Sequence, residues 1–177
     1  CEKSEIIIPR SIDYESNKYI VTSISVCAFD SSEIKSIQFP PDSELKTFSI
    51  NSFSNSQIES LSIPSSLIEL EEGWCYNMGE LKKINVSPNN PRYSSYNDNK
   101  MIIGKSNIES NIFDVLVFCV RDIETVTIPR FIKKIFSFAF ESCEKLLKVE
   151  IPDDSELQTI DELAFFFSSI ESFMFFI

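Results

Sequence analysis

The sequence predicts a solenoid of stacked repeats, built mainly from β-strands that lie parallel to one another. Two observations lead to this fold class. The stretches 58–70 (IESLSIPSSLIEL) and 123–135 (IETVTIPRFIKKI) share nearly all of their apolar positions and little else. The apolar frame that opens them recurs, with successive starts 24, 23, 42, 23 and 24 residues apart. The copies begin at Ile34, Ile58, Leu81, Ile123, Leu146 and Ile170. A regular period of this length is the signature of a solenoid and lies in the range of leucine-rich repeats.

Each copy of the frame predicts one strand followed by a turn. Its apolar residues alternate with polar ones, so one row of side chains points inward and the next outward. A proline follows the last apolar residue in most copies, and proline ends a strand because it cannot donate to the ladder. One such strand cannot hide its apolar face alone, but stacked parallel copies share a continuous core.

A small residue beside an aromatic one recurs after each turn, and stacked rings at these positions would fill the column behind the sheet. The pairs are Ala28-Phe29, Ser52-Phe53, Ala139-Phe140 and Ala164-Phe165, with the order of sizes reversed at Trp74-Cys75. We therefore predict a leucine-rich-repeat solenoid of the α/β horseshoe class, mainly β. It has one parallel strand per 23–24-residue repeat and short helical or 3-10 turns on the other side.

The whole chain, residues 1–177, is predicted to form one solenoid of about seven or eight rungs, with insertions near 13–18 and 89–114. The second insertion is expected to hold a short strand excursion, after which residues 115–119 form another rung. The chain begins at Cys1 and its last frame completes a strand without a polar cap. We therefore expect a fragment of a longer chain, with a C-terminal edge that is continued, capped or self-associating.

The composition argues against several classes of function. A net charge of -11 disfavours nucleic acid as a partner and also adsorption to anionic membranes. The chain has no histidine, the commonest general base, and its three glycines form no phosphate-binding loop. Its five cysteines contain no CxxC pair and are expected to be buried free thiols. We predict a non-enzymatic protein with no catalytic, cofactor or metal site and no direct membrane insertion.

Residues 123–146 (IETVTIPRFIKKIFSFAFESCEKL) follow the pattern LxxIxIPxxLxxIgxxAFxxCxxL almost throughout. Residues 90–95 (NPRYSS) match the insertion NPxYss. In both features the chain resembles the BspA-like leucine-rich-repeat family of bacterial and protist surface proteins, which is expanded in trichomonad protists. The resemblance implies a cell-surface adhesin or antigen that binds host, matrix or other-cell proteins.

The candidate binding residues are the outward positions of the predicted strands, mainly hydroxyl and amide groups with a few charges. They are Ser36, Gln38, Ser60, Ser62, Lys83, Asn85, Thr125, Thr127, Lys148 and Glu150, with Ser172 and Met174 at the equivalent positions of the last copy. Such a surface suits wet, polar contact with a protein, including a glycoprotein. The same residue types are also simply good strand formers, so both interpretations stay open.

Two functions are therefore carried forward. The first is a recognition module at the cell surface or outside the cell. The alternative is an intracellular, cytoplasmic leucine-rich-repeat scaffold within a larger assembly, which the absence of a visible targeting sequence and the expected free thiols favour.

Overall fold

The structure, a computed structural model, describes residues 4–175 and consists of β-strands joined by turns. The strands, in chain order, are β1 (Glu5–Ile7), β2 (Ser11–Tyr14), β3 (Asn17–Ile20), β4 (Ser23–Ile24), β5 (Ser36–Gln38), β6 (Thr47–Phe48), β7 (Ser60–Ile63), β8 (Glu69–Leu70), β9 (Lys83–Val86), β10 (Tyr93–Tyr96), β11 (Met101–Gly104), β12 (Val115–Cys119), β13 (Thr125–Thr127), β14 (Lys134–Ile135), β15 (Lys148–Ile151), β16 (Thr159–Ile160) and β17 (Ser172–Phe175).

Each regular repeat contributes one strand to each of two parallel sheets, which confirms the predicted solenoid. The strands of the apolar frames pair in the orders β1-β5-β7-β9 and β13-β15-β17, here called the first sheet. Shorter strands pair as β4-β6-β8 and, farther along, as β12-β14-β16, here called the second sheet. Parallel pairing of sequence-distant strands follows from the repeat, because each copy enters its strand in the same direction.

The core lies between the two sheets, where the inward residues of successive strands stack on one another. Leu61 pairs in register with Ile37 on one side and with Ile84 on the other, and all three are buried. The predicted ring column is present behind them. Phe29 stacks on Phe53 with ring centroids 5.6 Å apart, and Phe140 stacks on Phe165 at 4.8 Å. The stacked rings fill the interior behind the stacked strands.

Proline ends the frame strands as the sequence predicted, and it also starts a tight turn. The backbone N–H three residues later donates to the proline carbonyl, at 3.0 Å for Ser43 to Pro40 and at 2.9 Å for Ile132 to Pro129. The Ser43 hydroxyl then accepts a bond of 3.3 Å from the backbone N–H of Leu45. These local bonds aim Leu45 back into the core, where it is fully buried.

The turns that follow the second-sheet strands, here called the far-side turns, are not helical. The predicted helical or 3-10 turns are therefore wrong for residues 4–175. Each of five far-side turns instead contains two residues four positions apart with φ between 53° and 71°. The pairs are Cys27/Ser31, Asn51/Asn55, Gly73/Asn77, Phe138/Ser142 and Leu163/Phe167. A left-handed residue cannot continue a right-handed helix, so the chain bends twice and returns to the next strand.

The first insertion is a hairpin of β2 and β3, whose turn residues Glu15 and Ser16 have positive φ. Ile12 lies on this hairpin and is 54% exposed. The hairpin carries Ile12 away from the stacked repeats.

The second insertion begins with the antiparallel hairpin β10–β11, which turns through three consecutive left-handed residues, Asn97, Asp98 and Asn99. Strand β12 pairs with β11 in antiparallel fashion and with β14 in parallel fashion. The segment 115–119 is therefore a strand, as predicted, and it belongs to the second sheet. The first sheet is interrupted between β9 and β13, which share no ladder among the described residues.

Candidate binding face

The outward side of the first sheet carries the candidate binding residues in two rows, one on each side of the interruption. In the first row Asn85 lies in register with Ser62, and the β5–β7 register places Gln38 beside Ser62. In the second row Thr127 lies in register with Glu150, and Glu150 with Met174. Parallel strands repeat about every 4.8 Å, so each row forms a ladder of side chains at that spacing.

Nine of the ten predicted residues reach the surface at least in part. Gln38, Lys83, Asn85, Thr125 and Thr127 are exposed, whereas Ser60, Ser62, Lys148 and Glu150 are half-buried. The prediction of an outward, exposed side chain is wrong for Ser36, because only 8% of it is exposed. Its strand is flanked in register by Glu5 on β1 and Ser60 on β7, and its hydroxyl is too short to rise above them.

Glu150 is the acidic side chain of the second row, and two neighbouring side chains hold it in place. Its carboxylate lies 2.6 Å from the Lys148 ammonium and accepts a bond of 2.7 Å from the Thr127 hydroxyl. The bond from Lys148, helped by the one from Thr127, lowers the pKa of Glu150. The group therefore stays ionised with its partners in place, and the row presents an ordered polar cluster.

The hairpin β10–β11 lies beside the interruption and adds side chains to the face. The Ser95 hydroxyl accepts a bond from the backbone N–H of Val86 at 3.3 Å, which ties the hairpin to β9. The Tyr96 ring meets Phe131 edge to face, with centroids 5.5 Å apart. Tyr96 is 38% exposed and presents an aromatic surface next to the second row.

Each row ends in an open groove at the carboxyl ends of its strands. The first groove, about 400 Å³, is bordered by Ser62 and Asn85 and by the prolines Pro40, Pro64 and Pro88. The second, about 530 Å³, is bordered by Tyr96, Thr127, Pro129, Arg130 and Asp154. The sequence did not indicate Arg130 or the groove-lining role of the prolines. The tyrosine within the polar insertion is the signal that could have pointed to the second groove.

A buried ion pair that the sequence did not indicate lies behind the sheets. Side chains of Arg121 and Glu141 are 1% and 0% exposed, with Nη2 and Oε2 3.8 Å apart. The guanidinium lies 4.2 Å from the centre of the Phe118 ring and bonds three carbonyl oxygens, those of Phe138, Ala139 and Cys119. Burial raises the pKa of Glu141. Both groups are inaccessible, so this pair belongs to the architecture.

Three of the cysteines confirm the prediction of buried free thiols. Cys75, Cys119 and Cys143 are at most 1% exposed and unbridged. Burial raises the pKa of Cys75 to about 12 and also raises the pKa of Cys119 and Cys143. Their thiols stay protonated and pack as small apolar groups. The prediction is wrong for Cys27, which is exposed because it is a left-handed residue of a turn. Cys1 lies outside the described residues.

Between residues 4 and 175 no three His, Cys, Asp or Glu side chains converge as metal ligands would. No helix suited to crossing a membrane occurs in the same range.

Comparison with known proteins finds solved structures of similar fold and a matching family model. Solved structures with a similar fold include the pneumococcal vaccine antigen PcpA (23% identity, TM-score 0.70, 88% of this chain and 35% of that chain). A leucine-rich cell surface protein from Faecalibacterium prausnitzii A2-165 matches at 21% identity and TM-score 0.64, over 85% of this chain and 36% of that one. A leucine-rich-repeat protein from Eubacterium ventriosum matches at 15% identity and TM-score 0.63, over 98% and 54%.

These chains are longer, and the present sequence spans about a third to a half of each. The search of curated proteins finds no matching sequence. The family model described as BspA type leucine-rich repeat region matches residues 5–116 and 100–176 with six copies. The model covers far more than half of the sequence, and the chain therefore belongs to the BspA-type leucine-rich-repeat family.

Proposed function

We propose that this chain is a non-enzymatic recognition module of a cell-surface protein, which binds host, matrix or other-cell proteins through the outward side of its first sheet. The observation that carries the proposal is the pair of register-aligned polar rows that end in proline-lined grooves. Similar folds in a vaccine antigen and a cell surface protein support the location. The adhesin role of this chain is part of the proposal.

The chemistry of the rows suits a polar protein or glycoprotein surface. Asn85 and Gln38 each offer both a donor and an acceptor, and Thr127 with Glu150 forms an ordered cluster. Tyr96 supplies apolar contact at the edge of the second row. A mixture of ordered polar groups and an exposed aromatic ring is typical of interfaces that bind through a few anchors with trapped water.

The test is adhesion of labelled protein to a panel of purified matrix glycoproteins that includes fibronectin and laminin. Asn85→Arg and Thr127→Arg place a long cation in the two rows and are expected to reduce binding at least about tenfold, a loss of about 1.4 kcal/mol. Thr22→Arg is the matched control, because Thr22 is exposed and lies just before β4 of the second sheet. Binding that survives both row variants and fails on Tyr96→Ala would assign recognition to the hairpin instead.

An intracellular scaffold is the second candidate, and the unbridged cysteines favour it, because free thiols are commoner in reducing compartments. Labelling of intact cells with a membrane-impermeant amine reagent separates the two. Labelled protein on intact cells supports the surface module. Labelling that requires lysis contradicts it.

A further inference from the structure

A separate pocket of about 180 Å³ lies on the outer side of the second sheet, at the base of the β10–β11 hairpin. Strand β12 shows why it forms there. Leu116 and Phe118 are fully buried, and Phe118 packs on Trp74, whereas the alternate residues Val115 and Val117 line the pocket. Strand alternation therefore puts an apolar floor on the side facing away from the core.

Three cations surround this floor in a chain whose net charge is -11. Lys134 is paired with Asp161 at 2.8 Å, so its charge is largely compensated. Arg92 and Lys105 have no acidic oxygen within 4.0 Å among residues 4–175. The pocket thus keeps two uncompensated positive charges where most of the surface is negative.

Acidic groups close to the rim do not cancel these charges. Asp114 accepts two bonds from Ser106, 2.9 Å from its backbone N–H and 2.8 Å from its hydroxyl, and does not line the pocket. Lys105 lies 5.3 Å from the centre of the Phe113 ring, a cation–π contact that leaves its full charge available. An anion entering the pocket therefore meets free cationic donors.

The walls are shaped for a flat ring. The Tyr93 hydroxyl accepts a bond from the Leu70 N–H at 3.1 Å and donates to the Ile68 carbonyl at 3.4 Å. Because the hydroxyl is engaged by the backbone, Tyr93 lines the pocket with its aromatic ring. Burial raises the pKa of Tyr93, and the phenol adds no negative charge. Opposite Tyr93 in the hairpin register is Gly104. A Cβ there would lie 3.2 Å from the tyrosine ring and 2.9 Å from Val117, so only glycine lets the two walls approach this closely.

The volume sets the size of the ligand. A dry apolar cavity of about 150 Å³ accepts one benzene molecule. Pockets for drug-sized ligands begin at about 300 Å³. The present pocket, at about 180 Å³, therefore has room for one six-membered ring and one small charged group.

We infer that this pocket binds a ring-sized organic carboxylate, with the ring against Tyr93, Phe136 and the two valines and the carboxylate between Arg92 and Lys105. Two sources share this chemistry, a free aromatic acid and an acidic sugar residue at the end of a glycan. The inference is independent of the proposed function, because the pocket opens on the second sheet and the polar rows lie on the first.

The experiment is calorimetric and NMR titration of the chain with benzoate, glucuronate, the neutral analogues benzyl alcohol and glucose, and inorganic phosphate. At least one carboxylate is expected to bind saturably and about tenfold more tightly than its neutral analogue and than phosphate. The tighter of the two carboxylates identifies the source. Failure of both to saturate overturns the inference, as does phosphate binding as tightly as the better carboxylate, since the ring would then contribute nothing.

Charge variants locate the site. Arg92→Met and Lys105→Met keep the apolar stems and are each expected to weaken carboxylate binding about fivefold or more, and the double variant to abolish it. Lys105→Arg retains the charge and is expected to bind within about threefold of the original chain. Lys18→Met removes an exposed lysine on the β2–β3 hairpin and serves as the control. Binding that is unchanged in the double variant, with circular dichroism confirming the fold, overturns the inference.

Discussion

Arg121 and Glu141 form a buried ion pair, and their side chains bond to the backbone of the turns on either side of a shortened turn in the solenoid. Between the second-sheet strand and the next frame, regular repeats run from Ile135 to Leu146 or from Phe48 to Ile58, which is 11 or 10 residues. The repeat of β12 runs from Leu116, the register partner of Ile135, to Ile123 in only seven. A far-side turn of full length does not fit into that interval.

In regular repeats the far-side turns bond to one another through the backbone, as where the Phe140 N–H donates to the Ala164 carbonyl at 2.7 Å. At the shortened turn the Cys119 N–H still donates to the Ala139 carbonyl at 2.9 Å, and the Arg121 guanidinium adds bonds to the carbonyls of Phe138 at 3.3 Å and Ala139 at 3.0 Å. On the other side the Glu141 carboxylate accepts the N–H of Asn77 at 3.0 Å. Side chains thus bond to the backbone of both neighbouring turns, and Glu141 satisfies the Asn77 N–H, which otherwise carries a desolvation penalty.

Removal of the Arg121 guanidinium is expected to lower the free energy of unfolding by more than a typical surface substitution does. Arg121→Met leaves the Glu141 carboxylate buried without its cationic partner, so the free energy of unfolding should fall by about 3–5 kcal/mol. Arg130→Met is the control, because its pair with Asp154 is exposed on both sides and should cost under about 1 kcal/mol. Urea denaturation measures both. Equal losses would contradict the structural role of Arg121.

The pH dependence of stability should carry the signature of Glu141. Burial raises its folded-state pKa above the ordinary value of 4.5, so the folded state holds the proton to higher pH than the unfolded state does. Its contribution to the free energy of unfolding is therefore largest below pH 4.5 and falls as the pH rises through the folded-state value. Glu141→Gln removes this titration. The melting temperature of the original chain relative to that of the variant should drop between pH 4.5 and 7.5, and a rise would contradict the assignment.

The ring column is expected to dominate the stability of the repeats. Phe140 is fully buried and stacks on Phe165, so Phe140→Ala should open a cavity and cost about 3–5 kcal/mol. Thr127 is exposed on the first sheet, and Thr127→Ala should cost under about 0.5 kcal/mol. Thermal melts of the two variants decide the matter. Small and equal losses would mean that the inward and outward faces have been reversed.

The left-handed turn residues can be tested with two of the three glycines. Gly73 has φ of +71° and no atom within 3.4 Å of a Cβ placed on it, so Gly73→Ala tests the backbone alone. We expect a loss of about 1–2 kcal/mol. Gly79 has ordinary φ and open space around it, and Gly79→Ala should be neutral or stabilising by up to about 1 kcal/mol. Chemical denaturation of the pair checks the difference, and indistinguishable variants would argue against the double bend.

The parallel strands, the proline turns and the ring column followed from the sequence, because each depends on residues close together within one repeat. Alternation around Leu61 marks its inward face, Pro64 ends its strand, and repetition brings in the neighbours that bury it. The family pattern strengthened the same conclusion, since it is the same set of local preferences written several times.

Tertiary structure alone decided what happens where the repeat is broken. Asn77 and Glu141 are 64 residues apart, and no period of the sequence pairs them. The interruption that separates Asn85 from Thr127 arises because the β10–β11 hairpin and β12 take up the connection between the two parts of the first sheet. Phe138 and Leu163 adopt left-handed backbone although neither residue type favours it, because the returning chain must bend there to reach the next strand. Local preference fixes a repeated unit, whereas its exceptions are fixed by the neighbours on which they pack.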